Sequence, residues 1–284
     1  GIGNMVQSNT VANQLQNTLN IEPTITGVVI AIIAGLVIIG GVKRISTFAS
    51  ALVPLMAVIY IVSALVIVIF NFDLVPGAFG IIIDHAFNGT AATGGFAGAT
   101  VLMAIRFGIA RGVFSNEAGL GSAPIAHAAA KTNNPIKEGF VAMLGPFIDT
   151  LMVCTMTALA ILVTGAWKTQ ADGVSLTAAA FESSFSGIGN YILLACVFVF
   201  SISSLFSYSY YGTKCLSFLA GDHNKKKYNY IYIISIMLGA TTSLSMMINL
   251  IDTFFALMAI PTMIGTLILA PKVLKQLNKY KING

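Results

Sequence analysis

Eight mostly apolar stretches, each near 20 residues or longer, dominate the chain, at 1–19, 24–42, 47–70, 99–131, 139–164, 189–213, 228–247 and 250–271. Wound as an α-helix, a stretch of about 20 residues matches the roughly 30 Å hydrocarbon layer of a bilayer. Few other folds can absorb that pattern. Of the 284 residues 56% are hydrophobic and only 9% charged, whereas a soluble domain carries about 25% charge to wet its surface. The expectation is an all-α integral membrane protein. The run at 1–19 reads as incomplete and the run at 99–131 as interrupted.

Charge then sets the orientation. The formal net charge is +5, but the basic residues sit in short clusters between apolar runs, which excludes a nucleic-acid face and fits the positive-inside pattern. With loops assigned alternately, one side collects Lys43, Arg44, Lys131, Lys137, Lys214, Lys225, Lys226, Lys227, Lys272, Lys275, Lys279 and Lys281, twelve of the fifteen basic residues. Lys168 falls opposite, and Arg106 and Arg111 lie inside the interrupted run. A multi-pass cell-membrane protein with a cytoplasmic C-terminus follows as an expectation. Cys154, Cys196 and Cys215 have neither CxxC spacing nor a histidine partner nearby in sequence, so neither a disulfide framework nor a zinc site is expected. No GxxxxGK[ST] is present, so no nucleotide-driven pump is indicated. The chain opens Gly1-Ile2-Gly3-Asn4 without an initiator Met or a leader pattern, and is read as part of something longer.

Polar residues inside apolar runs carry the information, because a carboxylate at mid-bilayer costs roughly 2.5–3.5 kcal/mol even on mild scales. The segment from Arg111 to His127 holds Ser115, Asn116, Glu117, Gly119, Gly121, Ser122 and Pro124, a composition that weakens a continuous helix. The spacing predicts a broken helix, with Ser122 as N-cap and Pro124 in the first turn of a half-helix to about Lys131. A re-entrant loop at the membrane edge is the alternative. Asp149, with Thr150, falls about ten residues into its run; it either faces the interior and a cation or pairs with Arg106 or Arg111. Ser203 with Ser207, and Ser204 with Tyr208, are four residues apart and present hydroxyls along a helix face, suited to a small hard cation or to close packing and back-bonding. Asn4 and Gln7 put two amides on one face, for a pocket or for interhelical hydrogen bonds.

Other patterns carry less. Ser122 and His127 are five residues apart, on different helix faces and without a nucleophile elbow, so a serine hydrolase is not supported. Asn88-Gly89-Thr90 fits the glycosylation triplet, a match that arises readily by chance. His85 and His223 read as solvated loop residues.

The string Ala110-Arg111-Gly112-Val113-Phe114-Ser115-Asn116-Glu117-Ala118-Gly119-Leu120-Gly121-Ser122-Ala123-Pro124-Ile125-Ala126-His127 resembles the hallmark of the alanine or glycine:cation symporter family. Gly1-Ile2-Gly3-Asn4-Met5-Val6-Gln7, Gly40-Gly41-Val42-Lys43-Arg44-Ile45, Phe147-Ile148-Asp149-Thr150 and Tyr210-Tyr211-Gly212-Thr213-Lys214-Cys215 are similar to further family stretches, in order. The resemblance covers essentially the whole chain. It implies a leucine-transporter-like inverted-repeat fold with about eight of eleven spans present, the first three being absent. On that template 1–284 is one transporter domain, 1–70 the end of the first repeat and 99–271 the second.

The resemblance further implies that Gln7, Phe114, Ser115, Asn116, Glu117 and Tyr208 meet the substrate, with Phe114 limiting its side chain. It places Ser203, Ser204, Asp149 and Thr150 at sodium. Ser204 and Tyr208 stand where relatives often have Thr and Trp. The implied function is sodium-coupled symport of alanine or glycine by alternating access; the protein is not an enzyme, needs no cofactor beyond sodium as coupling ion, and has the lipid bilayer as its environment. The alternatives are a cation symporter of another small solute and an inactive truncated membrane protein.

Overall fold

The computed structural model describes residues 2–87, 97–169 and 171–283, and among them the secondary structure is helical throughout. The helices are α1 (Ile2–Leu19), α2 (Pro23–Ile38), α3 (Gly41–Phe70), α4 (Val75–Phe87), α5 (Ala97–Asn116), α6 (Ser122–His127), α7 (Pro135–Pro146), α8 (Thr155–Val163), α9 (Gly173–Ser184), α10 (Gly189–Ala220), α11 (Lys225–Thr241) and α12 (Leu244–Asn283). A π-helical stretch, Phe147–Cys154, joins α7 to α8. Among the described residues, four helices are long and apolar enough to cross a membrane: Lys43–Phe70, Pro135–Val163, Gly189–Ala220 and Leu244–Tyr280. The glycosylation triplet Asn88-Gly89-Thr90 lies outside the described residues.

Several sequence expectations shift. His85 lies in α4 rather than in a loop, and α9 occupies a stretch read as connecting. Their apolar segments of 13 and 12 residues are shorter than a span, so a search at membrane thickness passes over them. The last helix begins at Leu244 and runs through Pro271 to Asn283. Lysine, leucine and glutamine, good helix formers that need no hydrocarbon around them, make up seven of the twelve residues after Pro271.

The chain divides into two compact units, residues 1–78 with 156–251, and residues 79–155 with 252–284. In the first unit α1 packs on α2, α10 and α11. Its core joins Val11, Ile30, Ala34, Leu205, Phe206, Tyr232 and Ile236. Yet α1 itself is polar, with Asn4, Ser8, Asn9 and Gln14 buried. Two of these amides are bonded across helices. Asn4 Nδ2 donates to the Tyr232 carbonyl (3.2 Å) and Ser235 Oγ (2.8 Å). Asn9 Nδ2 donates to the carbonyls of Gly239 (3.3 Å) and Thr242 (2.7 Å). For Asn4 the interhelical reading therefore holds. Tyr232 continues the chain of contacts, its hydroxyl donating to the Leu205 carbonyl at 2.6 Å.

Such bonds require close backbones. A Cβ built on Gly239 would lie 2.4 Å from Met5 Cα and 2.5 Å from Ser8 Oγ, and one on Gly27 would lie 2.8 Å from Ala240 Cβ. Glycine and alanine bring α1, α2 and α11 together as small residues do in membrane helix pairs. Between α2 and α3 the chain turns at Gly41, φ +72°, and Arg44 Nη1 reaches back to the Leu36 carbonyl at 2.8 Å, supplying a partner that the helix end lacks.

Ahead of α10, the Glu182 carboxylate accepts the amides of Gly187 (2.6 Å) and Asn190 (3.0 Å). Those two donors hold its carboxyl below the usual carboxylate range.

Two outcomes follow. Gly239→Val forces Cγ atoms into the α1 backbone and destabilises the first unit by about 3 kcal/mol, the upper end for overpacking, read as a lowered thermal midpoint in detergent. Gly265→Ala, where a Cβ meets nothing within 4 Å, leaves that midpoint unchanged or raises it. For Glu182 the folded carboxyl titrates below its unfolded value, so its contribution is present above the ordinary carboxylate range and disappears as pH falls through the lowered value. Amide exchange at Gly187 and Asn190, corrected for intrinsic rate, should be slower than in Glu182→Gln at neutral pH, and the two should converge in acid.

Candidate functional site

The second unit contains two places where helical geometry fails, and side chains join them. The first follows α5. Glu117 takes φ +54°, Gly119 +83° and Gly121 +90°, three left-handed residues separated by single residues. Glycine adopts that conformation freely, whereas at Glu117 it costs about 1–2 kcal/mol. The Glu117 amide still bonds the Val113 carbonyl (2.9 Å), and the Leu120 amide closes a turn on the Glu117 carbonyl (3.2 Å). Between them the Ala118 amide has lost its helical partner and donates to Asn116 Oδ1 at 2.9 Å. Asn116 thus closes the end of α5 with its own side chain.

A broken helix is what the composition predicts, but its second half differs. Gly121, not Ser122, is the cap residue, no side chain caps the start, and α6 stops at His127 rather than near Lys131. The left-handed Gly121 turns the chain one residue earlier than a serine cap would. Ser122 is buried as the first helical residue. His127 Nδ1 meets Glu138 Oε1 at 2.6 Å, tying α6 to α7.

The second irregularity is the π-helical stretch Phe147–Cys154, within an apolar run from which a regular helix is expected. Pro146 precedes it directly and has no amide to give the carbonyl four residues back, which loosens the ladder at that turn. Single π turns cluster at functional positions, and this one carries Asp149 and Thr150.

Four of the sequence-predicted residues converge here. Asn116 Nδ2 donates to Thr150 Oγ1 at 2.9 Å. Thr150 Oγ1 donates to Asp149 Oδ2 at 3.3 Å. Ser115 Oγ donates to the same carboxylate oxygen at 2.6 Å. The unwound end of α5 is thereby wired to the π turn through one carboxylate. Asp149 does not pair with Arg106 or Arg111 as one reading of the sequence had it. Arg111 Nη2 instead binds both oxygens of Asp252 on α12, at 2.6 and 2.5 Å. The contact is a charge-assisted hydrogen bond shared by one guanidinium nitrogen between two oxygens, and Asp252 lies in an apolar run with no pattern around it that marks it in advance.

Phe114 sits beside this ion pair. The Arg111 guanidinium lies 5.6 Å from its ring centroid, and Phe255 of α12 packs against it at 5.6 Å between centroids. Asp252 and Phe255, both missed in the sequence, therefore fix the side chain that precedes the break. A spacing of three along α12 puts them near one helix face, the one signal that could have linked them.

The other candidates lie in the first unit. Ser203 Oγ donates to the Phe200 carbonyl (2.8 Å) and Ser207 Oγ to the Ser203 carbonyl (3.1 Å), so both hydroxyl protons are spent on their own helix. Ser204 and Tyr208 are half-buried on α10. A Cβ on Gly3 would lie 2.9 Å from the Tyr208 ring, which places that ring against α1. Gln7 is half-buried on α1. No cluster of three or more His, Cys, Asp or Glu side chains suited to a metal ion occurs among the described residues.

The family model described as the sodium:alanine symporter family matches residues 1–283. The chain belongs to that family. It is 43% identical over 284 residues to the sodium/alanine symporter AgcS of Methanococcus maripaludis, covering 99% of this chain and 62% of the relative. It is 40% identical to an uncharacterized transporter of Haemophilus influenzae, covering 99% of this chain and 62% of that one. To the probable sodium/glutamine symporter GlnT of Bacillus subtilis it is 34% identical, with 98% and 58% covered. The chain spans about three fifths of the length of these relatives. A family of transporters, not of enzymes, is the setting for the residues around Asp149.

A double-mutant cycle tests the clamp beside the break. Arg111→Gln and Asp252→Asn each lower stability, and together they lower it by less than the sum. The coupling is about 1 kcal/mol, because both side chains are 40% exposed and solvent weakens the pair. Strict additivity in thermal unfolding would show that the pair carries no energy.

Proposed function

We propose that the protein is a secondary active transporter that couples inward movement of a small neutral amino acid, alanine or glycine, to sodium. The observation that carries this reading is the hydrogen-bonded junction of Ser115, Asn116, Asp149 and Thr150 between a helix break and a π turn, in a chain of the sodium:alanine symporter family. Broken helices expose backbone groups at membrane depth only where those groups line a cavity or meet a ligand.

In this reading the Asp149 carboxylate and the Thr150 hydroxyl oxygen take the sodium ion, hard oxygen donors for a hard cation. The substrate lies along Phe114, Ser115, Asn116 and Glu117, with Phe114 restricting its side chain. Sodium alters the charge balance at Asp149, whose hydrogen-bond donor Ser115 and indirect partner Asn116 also face the substrate. Each ligand thus favours the same arrangement of the break, and the coupling is reciprocal. Substrate contacts at Gln7 and Tyr208, and sodium contacts at Ser203 and Ser204, rest on the resemblance and are tested by their own variants. Eight spans of a leucine-transporter-like inverted repeat, with 1–70 closing the first repeat and 99–271 forming the second, and a cytoplasmic C-terminus complete the reading. The segregation of twelve of fifteen basic residues supports that orientation.

Uptake of labelled alanine into proteoliposomes under an imposed sodium gradient tests the proposal. Uptake follows the gradient. Asp149→Asn weakens sodium activation by about tenfold or more, as loss of a charged ligand does, and Asn116→Ala weakens alanine affinity by about tenfold, the cost of two lost polar contacts. Uptake indifferent to the gradient, or an Asn116→Ala protein with unchanged alanine affinity and sodium dependence, overturns the assignment. The glutamine in the name of the probable sodium/glutamine symporter GlnT makes a larger neutral amino acid the second reading; competition led by glutamine rather than alanine and glycine would favour it.

A further inference from the structure

Away from the break, the second unit carries a groove between α7 and α12 whose polarity changes along its length. At one end, a recess of about 560 Å³ is lined by Asn133, Asn134, Lys137, Gln276, Lys279 and Tyr280. It shares Pro135, Ile136 and Gln276 with a second recess of about 420 Å³. That second part is lined by Gly139, Phe140, Met143, Lys272, Val273 and Leu277, apolar but for the one lysine. The Phe140 and Tyr280 rings, 6.3 Å apart, bridge the two helices.

The order of these residues carries the argument. The α7 residues of the polar recess lie at the helix's beginning and those of α12 lie near its end, whereas on both helices the apolar recess lies one to two turns further into the apolar run. A polar, cationic opening therefore grades into an apolar slot in the direction in which each helix enters hydrocarbon. Phe140, Met143 and Val273 are 50%, 68% and 55% exposed, and Lys137, Lys272 and Lys279 are exposed around them. A soluble anion would satisfy the lysines and leave the slot bare, and an uncharged lipid would fill the slot and bring no charge to the three lysines.

We propose that this groove binds a phospholipid with an anionic head group, its phosphodiester at Lys137, Lys272 and Lys279 and an acyl chain along Phe140, Met143 and Val273. Basic recesses between membrane helices are where such head groups are held. The site is independent of the transport reading, since it uses none of the residues at the break.

Native mass spectrometry of the purified protein with phosphatidylglycerol, phosphatidylcholine or inorganic phosphate tests it. Phosphatidylglycerol is retained and phosphatidylcholine is not, and excess phosphate does not displace the bound lipid. Replacing Lys137, Lys272 and Lys279 together by Gln lowers retention by on the order of a hundredfold, at about fivefold per lysine, while the same change at Lys225, Lys226 and Lys227 leaves it intact. Val273→Trp, which blocks the slot and keeps every charge, lowers it as well. Equal retention of the two lipids, displacement by phosphate, an unchanged triple variant, an equal loss in the Lys225 to Lys227 control, or full retention by Val273→Trp overturns the proposal.

Discussion

A backbone amide or carbonyl in hydrocarbon has no water to bond, and each one left unpaired costs several kcal/mol. The break after α5 is organised around that constraint. Where α5 ends, the amide released at Ala118 is taken by Asn116 Oδ1, and the Nδ2 of the same side chain donates to Thr150. A residue that closes a helix and also reaches a second element makes the break a fixed structure. The left-handed backbone at Glu117 is tolerable for the same reason, since its amide and carbonyl both remain bonded.

The constraint acts differently in the first unit. There the helices are regular, and α1 supplies four of the buried polar side chains, Asn4, Ser8, Asn9 and Gln14. An isolated membrane helix with so many amides is poorly held by lipid; bonded to α11 carbonyls through Asn4 and Asn9, it is an interior helix. The cost is geometric. Amide side chains are short, so α11 must approach closely, and Gly239 leaves no room for a Cβ against Met5. Polar bonding and small-residue packing are one device here, and altering either disturbs the other.

How legible this was in the sequence depended on the range of the signal. The break after Asn116 was readable because its causes are local: three glycines and a proline, with polar residues between. The identity of its cap was not, because Gly121 and Ser122 both suit a helix start and only backbone dihedrals separate them. The π turn at Asp149 gave one faint sign in Pro146. Helices α4 and α9 were lost because a search tuned to membrane thickness ignores short segments. Arg111 entered the sequence reading only as one of two partners offered to Asp149, and nothing along the chain pointed it to Asp252 instead.

By itself the sequence determined that the chain is a helical membrane protein, that one helix breaks near Glu117, and that its family is that of the sodium:alanine symporters. Those properties follow from composition, from local backbone preferences and from strings of adjacent residues, all of which survive without knowledge of what packs on what. Only the tertiary structure decided that Arg111 grips Asp252, that Asp149 accepts from Ser115, and that Asn4 and Asn9 bond α11. Each of those depends on which helices lie side by side, and a charge or an amide in an apolar run states only that a partner is needed. Packing chooses which one.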